Sequence, residues 1–470
     1  MKNLLGIDFG TTSLKACLFD ENGTKLITKS VQYKLITDGN FIEFSPEDFF
    51  NIFKKVFDEI TSEYKVSAMA IDTQGETMIV LDKNGKPLMN AVIWLDNRAD
   101  VEAKEFENHF GLKYVYETTG QAEVPAGYPA PKIMWIRKNK PEIFVKAAKF
   151  LLLEDYVIYR LTGKFYASKS LYSSSLLMNV HTGEYVSDVL DFLGITTKQL
   201  PVLCESGEII GEYQNVKIAT SALDQIAGIT GAGVVKEDII SETTGTALAV
   251  CAVTRTFPKF YDGLKVSAYY VKQGLYCLLM WAPTAGATLE WFKRSFCVND
   301  DFDALNRLAE SVPEGSEGLL CVPHLCGTVM PENNPKAKGV FFGVELKHEK
   351  GHFIRAIMES IAYTVKEYID FMNVSIDEIR LMGGGAKSPL WCKIKSAVTN
   401  KKVSTLCEGE TACLGSAIYA GIGINVFDST ESATEKLIKL NNVYEYKSEN
   451  YKRLYEKYKK TEKEIINIYK

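Results

Sequence analysis

Leu4-Leu5-Gly6-Ile7-Asp8-Phe9-Gly10-Thr11-Thr12-Ser13-Leu14-Lys15-Ala16-Cys17-Leu18-Phe19-Asp20 carries the pattern that decides the fold. Two short apolar runs, Leu4–Phe9 and Leu14–Phe19, flank a glycine and three hydroxyl residues, which predicts a β-hairpin with a small polar turn. Asp8 sits at the end of the first strand, beside a turn too small to cover it. A carboxylate there is suited to a hydrated Mg²⁺ ion, and the N–H groups and hydroxyls of Gly10 to Ser13 are suited to phosphate oxygens. An ordinary polar hairpin tip has the same composition, so these residues alone leave both readings open.

The segment Ile239-Ile240-Ser241-Glu242-Thr243-Thr244-Gly245-Thr246-Ala247-Leu248-Ala249-Val250 repeats the plan of strand, hydroxyl-rich glycine turn and strand. Two such hairpins about half a chain apart indicate a duplicated domain with a phosphate-facing turn in each copy. Two further segments are more specific. One is Gly127-Tyr128-Pro129-Ala130-Pro131-Lys132-Ile133-Met134-Trp135-Ile136-Arg137-Lys138-Asn139. The other is Gly339-Val340-Phe341-Phe342-Gly343-Val344, followed after a spacer by His352-Phe353-Ile354-Arg355-Ala356-Ile357-Met358-Glu359. On these stretches the sequence resembles the FGGY family of carbohydrate kinases, from the first strand to about Gly423. The resemblance implies an α/β protein of two actin-like (ribonuclease H-like) ATPase domains with a cleft between them. It implies an N-terminal sugar-binding domain over residues 1–236 and a C-terminal nucleotide-binding domain over residues 237–470, with ATP and Mg²⁺ as cofactors. Walker A is absent, since no G-x-x-x-x-G-K-[ST] occurs, so the grip on phosphate falls to the two hairpins.

A chain of 470 residues exceeds one ordinary core and predicts two. Its 46% hydrophobic and 24% charged residues are those of a globular protein. A net charge of −5 with a pI near 5.8 disfavours a nucleic-acid or anionic-membrane surface. The start meets an acid too early for a secretory leader, and no window approaches the ~20 apolar residues that span a bilayer. Ten cysteines without a C-x-x-C pair fit reduced, mostly buried thiols, and the resulting expectation is a cytoplasmic enzyme. A small-molecule sugar or polyol is the expected partner, without nucleic acid or membrane, and a homodimer stays open.

Along the first half, Ser45-Pro46-Glu47-Asp48 is an N-cap followed by a first-turn proline and acids. Phe49, Phe50, Phe53, Val56, Phe57 and Ile60 then recur at helical spacing, which predicts an amphipathic helix with a buried aromatic face. Val66–Asp72 is predicted as a buried strand broken by the turn Thr73-Gln74-Gly75-Glu76-Thr77; Met78–Leu81 resumes it, and Ala91–Trp94 returns after Asn84-Gly85. Together Gln74, Glu76 and Trp94 offer acceptors, donors and an aromatic wall at adjacent strand ends, as a polyol requires. The resemblance assigns the turn, including Gly75, and Trp94 to the sugar. Asp96 and Arg98 are read as a local ion pair supporting the pocket, and Ser168–Ser175 as a turn near the cleft. Tyr128 and Lys132 lie where the family closes its sugar site, although Lys132 fits an exposed helix position equally well.

In Ala219-Thr220-Ser221-Ala222-Leu223-Asp224-Gln225-Ile226-Ala227-Gly228, a strand is expected to end at Asp224, where a helix rich in Gly and Ala begins. An aspartate at a helix start is ordinarily a cap. The resemblance instead makes Asp224 the catalytic base and Gln225 a substrate contact. In the second half the resemblance assigns nucleotide contacts to Gly245, Thr246, Gly286, Glu290, Gly385 and Ala386, beside Thr11, Thr12, Ser13 and Lys15 of the first hairpin. Gly383-Gly384-Gly385 lets the backbone approach a nucleotide closely, and Ser388-Pro389 starts the next helix. Glu410–Gly421 is expected as a small-residue helix behind the nucleotide site, and the tail from Tyr444 as a surface helix with a solvated charged face.

His348-Glu349-Lys350-Gly351-His352 is a formal H-E-x-x-H zinc motif. Gly351 weakens a helix there, and the apolar period from Phe353 predicts that the helix begins near Gly351, leaving His348 in a loop. A metalloprotease is therefore disfavoured, and a non-catalytic actin-like ATPase does not need Gln74, Glu76, Trp94 and Asp224-Gln225 together. Substrate choice turns on two small residues. Glycerol kinases carry an arginine where this chain has Gly75, and an aromatic residue where it has Ala249. Both changes enlarge the site, so a ketopentose, as in the similar xylulokinases, or a related polyol is expected over glycerol. The usual xylulokinase turn has Met-His where Glu76-Thr77 stands here, which leaves the individual sugar open.

Overall fold

The computed structural model describes residues 2–261 and 266–470. The opening hairpin is β1 (Asn3–Phe9) and β2 (Ser13–Asp20), followed by β3 (Lys25–Gln32). With β4 (Ala68–Thr73), β5 (Ile209–Tyr213) and β6 (Val216–Leu223), these form a six-stranded sheet in the order β5-β6-β4-β1-β2-β3. The β1–β2 and β2–β3 pairs are antiparallel, whereas β1–β4 and β4–β6 are parallel. The second hairpin starts a sheet on the same plan. Its strands are β7 (Ile239–Thr244), β8 (Leu248–Thr254), β9 (Ser267–Lys272), β10 (Leu275–Ala282), β11 (Glu378–Gly383), β12 (Lys402–Leu406) and β13 (Leu440–Tyr444). They lie in the order β9-β10-β8-β7-β11-β12-β13, antiparallel up to β7 and parallel through β11 and β12. The duplication legible in the hairpins thus extends to whole sheets. Their central strands are almost continuously buried, as parallel strands covered on both faces must be.

Helices cover both sheets. Those that bear on the site are α1 (Pro46–Glu63), α2 (Pro129–Asn139), α3 (Asp224–Gly231), α4 (Gly286–Phe296), α5 (Lys350–Met372), α6 (Pro389–Thr399), α7 (Thr411–Gly423) and α8 (Glu449–Ile468). In α1 the Ser45 hydroxyl accepts from the Asp48 N–H at 3.3 Å, and the six apolar side chains expected inside are buried. A smaller sheet joins Met78–Leu81 to Lys149–Leu152 and to the two-residue strand Ala91–Val92, which stops short of Trp94. No helix among the described residues is long and apolar enough to cross a membrane. The ten cysteines are all unpaired thiols, eight of them buried.

One expectation from the sequence needs correction. Helix α7 does not lie behind the nucleotide loops. It packs on β1, β4 and β6 of the first sheet and crosses α3 at backbone contact distance. Small residues in both partners make that placement available, and it buries more than a solvent-facing helix could. The tail helix α8 is the surface helix expected: Tyr451, Tyr455, Tyr458 and Ile465 turn inward and its charged face is solvated.

The α3–α7 crossing has no room for side chains. A β-carbon on Gly415 would stand 1.9 Å from the Ala227 carbonyl oxygen, and one on Gly231 would stand 1.8 Å from that of Thr411. On β1, a β-carbon on Gly6 would meet the Cys413 carbonyl oxygen at 1.7 Å. Gly415→Ala should therefore push the helices apart and cost about 2 kcal/mol or more, at the upper end of ordinary overpacking. Urea unfolding of this variant beside Gly409→Ala, whose added methyl meets nothing within 4 Å, measures the difference. Equal midpoints for the two would remove the crossing as a stability determinant.

Candidate active site

Strand register brings the acidic groups together. Asp8 lies opposite Lys15 on β2 and beside Asp72 on the parallel strand β4. Asp72 is fully buried and accepts from the Ser416 hydroxyl of α7 at 2.6 Å. The Ser416 proton being committed there, Ser221 at the end of β6 donates to Ser416 at 2.5 Å. Burial and then the neighbouring Asp8 raise Asp72 well above the usual carboxylate range, so it keeps its proton beside Asp8. Asp8 is itself raised to about 6, by burial against the pull of Lys15. The Lys15 ammonium is committed to Glu410 at the start of α7.

Asp224 begins α3 where β6 ends, and its Oδ1 accepts from the Gln225 N–H at 2.6 Å. Withdrawal from water, then Asp8, then Glu76 push its carboxyl up to about 8. It is therefore the group that feels both the first hairpin and the acceptor turn. Gln225 projects to the surface, and its side chain is exposed.

The acceptor turn is held from beneath. Lys132 on α2 is buried, and its ammonium donates to the carbonyls of Glu76 at 2.8 Å, Val92 at 3.1 Å and Ile93 at 2.9 Å. Neither an exposed position nor a direct sugar contact describes it: it ties the Glu76 turn to the strand end that leads to Trp94. Glu76 has a left-handed backbone, φ 51°, which the three-carbonyl brace helps to maintain. Burial raises the Glu76 carboxyl and lowers the Lys132 ammonium, each opposed by the other, and the Ser174 hydroxyl lies beside Glu76. Gly75 packs under Leu223 and Ser174, where a β-carbon would lie 2.8 Å and 3.3 Å from their side chains. Gln74 is 2% exposed, and neither atom of its amide has a partner within the protein. Such a pair of orphaned polar atoms calls for a ligand. Trp94 is 39% exposed, and its indole N–H donates to the Thr11 hydroxyl at 2.9 Å, linking the sugar-facing and phosphate-facing segments. The Asp96–Arg98 pair is present: Nε and Nη2 of Arg98 each reach an Asp96 oxygen at 2.8 Å, and Glu43 takes a further bond at 2.6 Å.

The second-domain motifs converge on one turn. Gly286 donates to the Gly245 carbonyl at 2.8 Å, and Ala285 and Ala287 donate to that of Thr246 at 2.9 and 3.2 Å. Gly383 and Gly385 pack on Thr244, where added β-carbons would come within 2.7 and 2.6 Å. Ala386 is half-buried and Glu290 is exposed on α4. Below Thr244 is a fully buried ion pair of Lys395 and Glu242 at 2.7 Å, and the Lys395 ammonium also donates to the Thr244 hydroxyl at 2.8 Å. The position matching Asp8 in this hairpin is Thr243, opposite Ala249 and Met382, so the carboxylate chemistry belongs to the first copy alone.

Sequence reasoning passed over Asp72, Ser416, Lys395 and Gln121. Asp72 left one usable signal, an acid closing a buried apolar strand. The zinc motif dissolves as expected: α5 starts at Lys350 with Glu349 as its cap, and His348 precedes it. Each imidazole Nδ1 accepts a local backbone N–H, that of Glu345 or Glu349. His324, between Cys321 and Cys326, pairs with Glu462 at 2.8 Å instead.

Two family models match the chain: "FGGY family of carbohydrate kinases, N-terminal domain" over residues 3–235, and the C-terminal domain of the same family over residues 243–424. A xylulose kinase of Bacillus subtilis (strain 168) is 29% identical over 482 residues, covering 98% of this chain and 96% of its own length. A gluconokinase of the same organism is 28% identical, covering 92% and 90%. Among solved structures, a ligand-bound xylulose kinase from Lactobacillus acidophilus has a TM-score of 0.93 at 23% identity, covering 100% of this chain and 99% of that one. Plasmodium falciparum glycerol kinase with ADP reaches 0.89 at 23% identity, covering 99% and 98%. At these identities the structural likeness establishes the fold, two actin-like domains of α/β architecture.

The raised Asp224 carboxyl has a consequence for stability. A carboxyl whose folded pKa exceeds its unfolded value favours the native state at low pH, and that contribution is lost as pH rises through the folded value. Asp224→Asn removes the titration. Its melting temperature in metal-free buffer should therefore gain on wild type between pH 3.8 and about 8 and level off above. A gap that stays constant across this window would show that the Asp224 carboxyl is not perturbed.

Proposed function

The chain belongs to the FGGY family of carbohydrate kinases, and from that premise we propose that it transfers the terminal phosphoryl group of ATP to a hydroxyl of a neutral five-carbon sugar or related polyol, with Asp224 as base. The observation that carries this reading is the electrostatic position of Asp224, which neighbours Asp8 of the phosphate-facing hairpin and Glu76 of the acceptor turn. Phosphoryl transfer has a loose transition state, so the base need only orient the acceptor hydroxyl and take its proton late.

The assignment of parts follows. Residues 1–236 carry the sugar, through Gln74, Gly75, Glu76, Trp94 and Gln225. Residues 237–470 carry the nucleotide, through Gly245, Thr246, Gly286, Glu290, Gly385 and Ala386, and Thr11, Thr12, Ser13 and Lys15 face the phosphates from the other side. Mg²⁺ fits the donor set. Asp8 offers a crowded carboxylate oxygen beside Asp72, and among the described residues no group of three or more His, Cys, Asp or Glu is arranged to hold an ion unaided. That suits a hard cation bound through one or two carboxylates and the substrate phosphates. When bound, the ion neutralises phosphate charge; within the protein, it gives the crowded carboxyls of Asp8 and Asp224 reason to ionise.

The relatives divide between acceptors, and the acceptor turn favours a neutral one. Glu76 contributes negative charge there. The two cations that flank the turn are engaged, Lys132 by three carbonyls and Arg98 by Asp96 and Glu43. A sugar acid would bring a second carboxylate without a free cation to receive it. Glycerol would leave polar groups unpaired in a site where Ala249 stands in place of an aromatic residue; the space at Gly75, expected to enlarge the site, is instead taken by Leu223 and Ser174.

Coupled measurement of ADP release over D-xylulose, L-xylulose, D-ribulose, xylitol, glycerol and gluconate tests this. At least one ketopentose or pentitol should exceed both glycerol and gluconate by ~10-fold or more in kcat/KM, about 1.4 kcal/mol. Asp224→Asn should lower kcat for the best acceptor by at least ~10²-fold with nucleotide affinity retained. Gluconate or glycerol as the best acceptor would refute the neutral-pentose reading, and sugar-independent ADP release would point to an ATPase of another kind.

A further inference from the structure

The acceptor site has a wall that comes from the second domain. Strand β9 forms the edge of the second sheet, and its free side is stitched to the first domain just after the helix Leu112–Thr119. The Ala268 N–H donates to the Gly120 carbonyl at 2.8 Å, and the Ala122 N–H donates to the Ser267 hydroxyl at 3.4 Å. Gly120 has φ 78°, and a β-carbon there would lie 2.0 Å from the Ala268 carbonyl oxygen, so the strand and loop touch at backbone distance. This contact delivers Tyr269, only 8% exposed, to the acceptor turn.

Its hydroxyl neighbours that of Tyr128 and the Glu76 carboxyl. Tyr128 donates to Oε1 of Gln121 at 2.9 Å, and Gln121 in turn donates to the Ser173 carbonyl at 2.9 Å. Tyr128 and its anchor Gln121 are thus fixed within the first domain. Glu76 neighbours both Asp224 and the tyrosine pair. Beside this line of groups lies the Gln74 amide, buried and without a protein partner.

We infer that Tyr269 is the second domain's contact with the acceptor, a specificity residue that receives the end of a sugar remote from the hydroxyl presented to Asp224. The inference rests on the neutral-sugar reading of the site. A triol presented to Asp224 has fewer hydroxyls to extend toward the tyrosine pair than a pentulose has. A five-carbon chain extends past Glu76 to the tyrosine pair, where its distal hydroxyl exchanges hydrogen bonds with Tyr269. A site built around such a hydroxyl discriminates strongly, because without it the buried polar groups are left unpaired.

Tyr269→Phe keeps the ring and removes the hydroxyl. Tyr270→Phe is its control: Tyr270 is also buried, and its hydroxyl makes a bond of the same interdomain kind, to Glu205 at 2.7 Å. Two readouts separate the questions. The first is binding of D-xylulose, D-ribulose, L-xylulose and glycerol without nucleotide, followed by Trp fluorescence and by calorimetry. The second is kcat/KM for the same acceptors. Tyr269→Phe should reduce the preference for the best pentulose over glycerol about tenfold or more in both, while Tyr270→Phe retains the wild-type preference and both variants keep wild-type ADP affinity. Equal losses for pentulose and glycerol, or the same change in preference in Tyr270→Phe, would reduce Tyr269 to a structural residue and overturn the inference. Pentulose binding that depends on Tyr269 without turnover would sustain the inference and defeat the kinase reading of the acceptor. A wild type that binds none of the pentuloses would overturn both.

Discussion

Carbonyl oxygens of one helix pressed against glycine α-carbons of another set the limits on everything else in this protein. Helix α7 lies late in the chain, yet it packs on the first sheet and crosses α3 with no side chain between. A contact that close tolerates rotation poorly and separation not at all, since interiors are packed as densely as crystals. Asp224 is the first residue of α3, so the proposed base is carried on the most tightly held element of the molecule. The hydrogen-bond chain from Ser221 through Ser416 to Asp72 extends the same joint to the strand beside Asp8.

The electrostatics of the two hairpins differ although their backbones correspond. The first brings Asp8 beside Asp72 and within the influence of Asp224, and the lysine opposite Asp8 is already paired with Glu410. Such a cluster holds extra protons until a cation arrives, as the raised carboxyls of Asp8 and Asp224 show. The second hairpin replaces the carboxylate by Thr243 and satisfies its own buried acid internally through Lys395. Burying a charged pair is costly unless its remaining lone pairs and protons are used, and here Thr244 helps to use them. One turn therefore invites a cation and the other presents backbone N–H groups without competing charge. That asymmetry suits a nucleotide whose metal and phosphates approach from opposite sides.

Much of this was legible in the order of residues, because the features concerned are local. A glycine among hydroxyls between apolar runs specifies a hairpin wherever it occurs, and Ser45-Pro46 or Ser388-Pro389 starts a helix by its own chemistry. The shift of the H-E-x-x-H segment out of a continuous helix followed from Gly351 and the apolar period after it. What escaped depends on register between segments far apart. Asp72 gains meaning only by lying beside Asp8 on a neighbouring strand, and Lys132 only because its ammonium ends under three carbonyls drawn from two segments. Tyr269 has no local mark at all, since an edge-strand tyrosine most often packs or faces solvent. The placement of α7 escaped for a related reason: a small-residue helix states that it will pack closely, not against which sheet.

The acceptor site therefore lies between two joints that differ from the nucleotide side in kind. At one end is the α3–α7 crossing, and at the other the backbone stitching of β9 to Gly120 and Ala122. Further bonds run along the same edge, from Tyr270 to Glu205 and between His181 and Tyr276 at 2.9 Å. Groups fixed at both ends lose little freedom when a sugar arrives, so binding energy is not consumed in ordering them. The glycine loops that meet at Thr244 are fastened to one another and to their own sheet, and the bonds described for them do not reach the first domain. The groups proposed for the sugar are thus held by bonds between the domains, whereas the glycine loops proposed for the nucleotide are held within one.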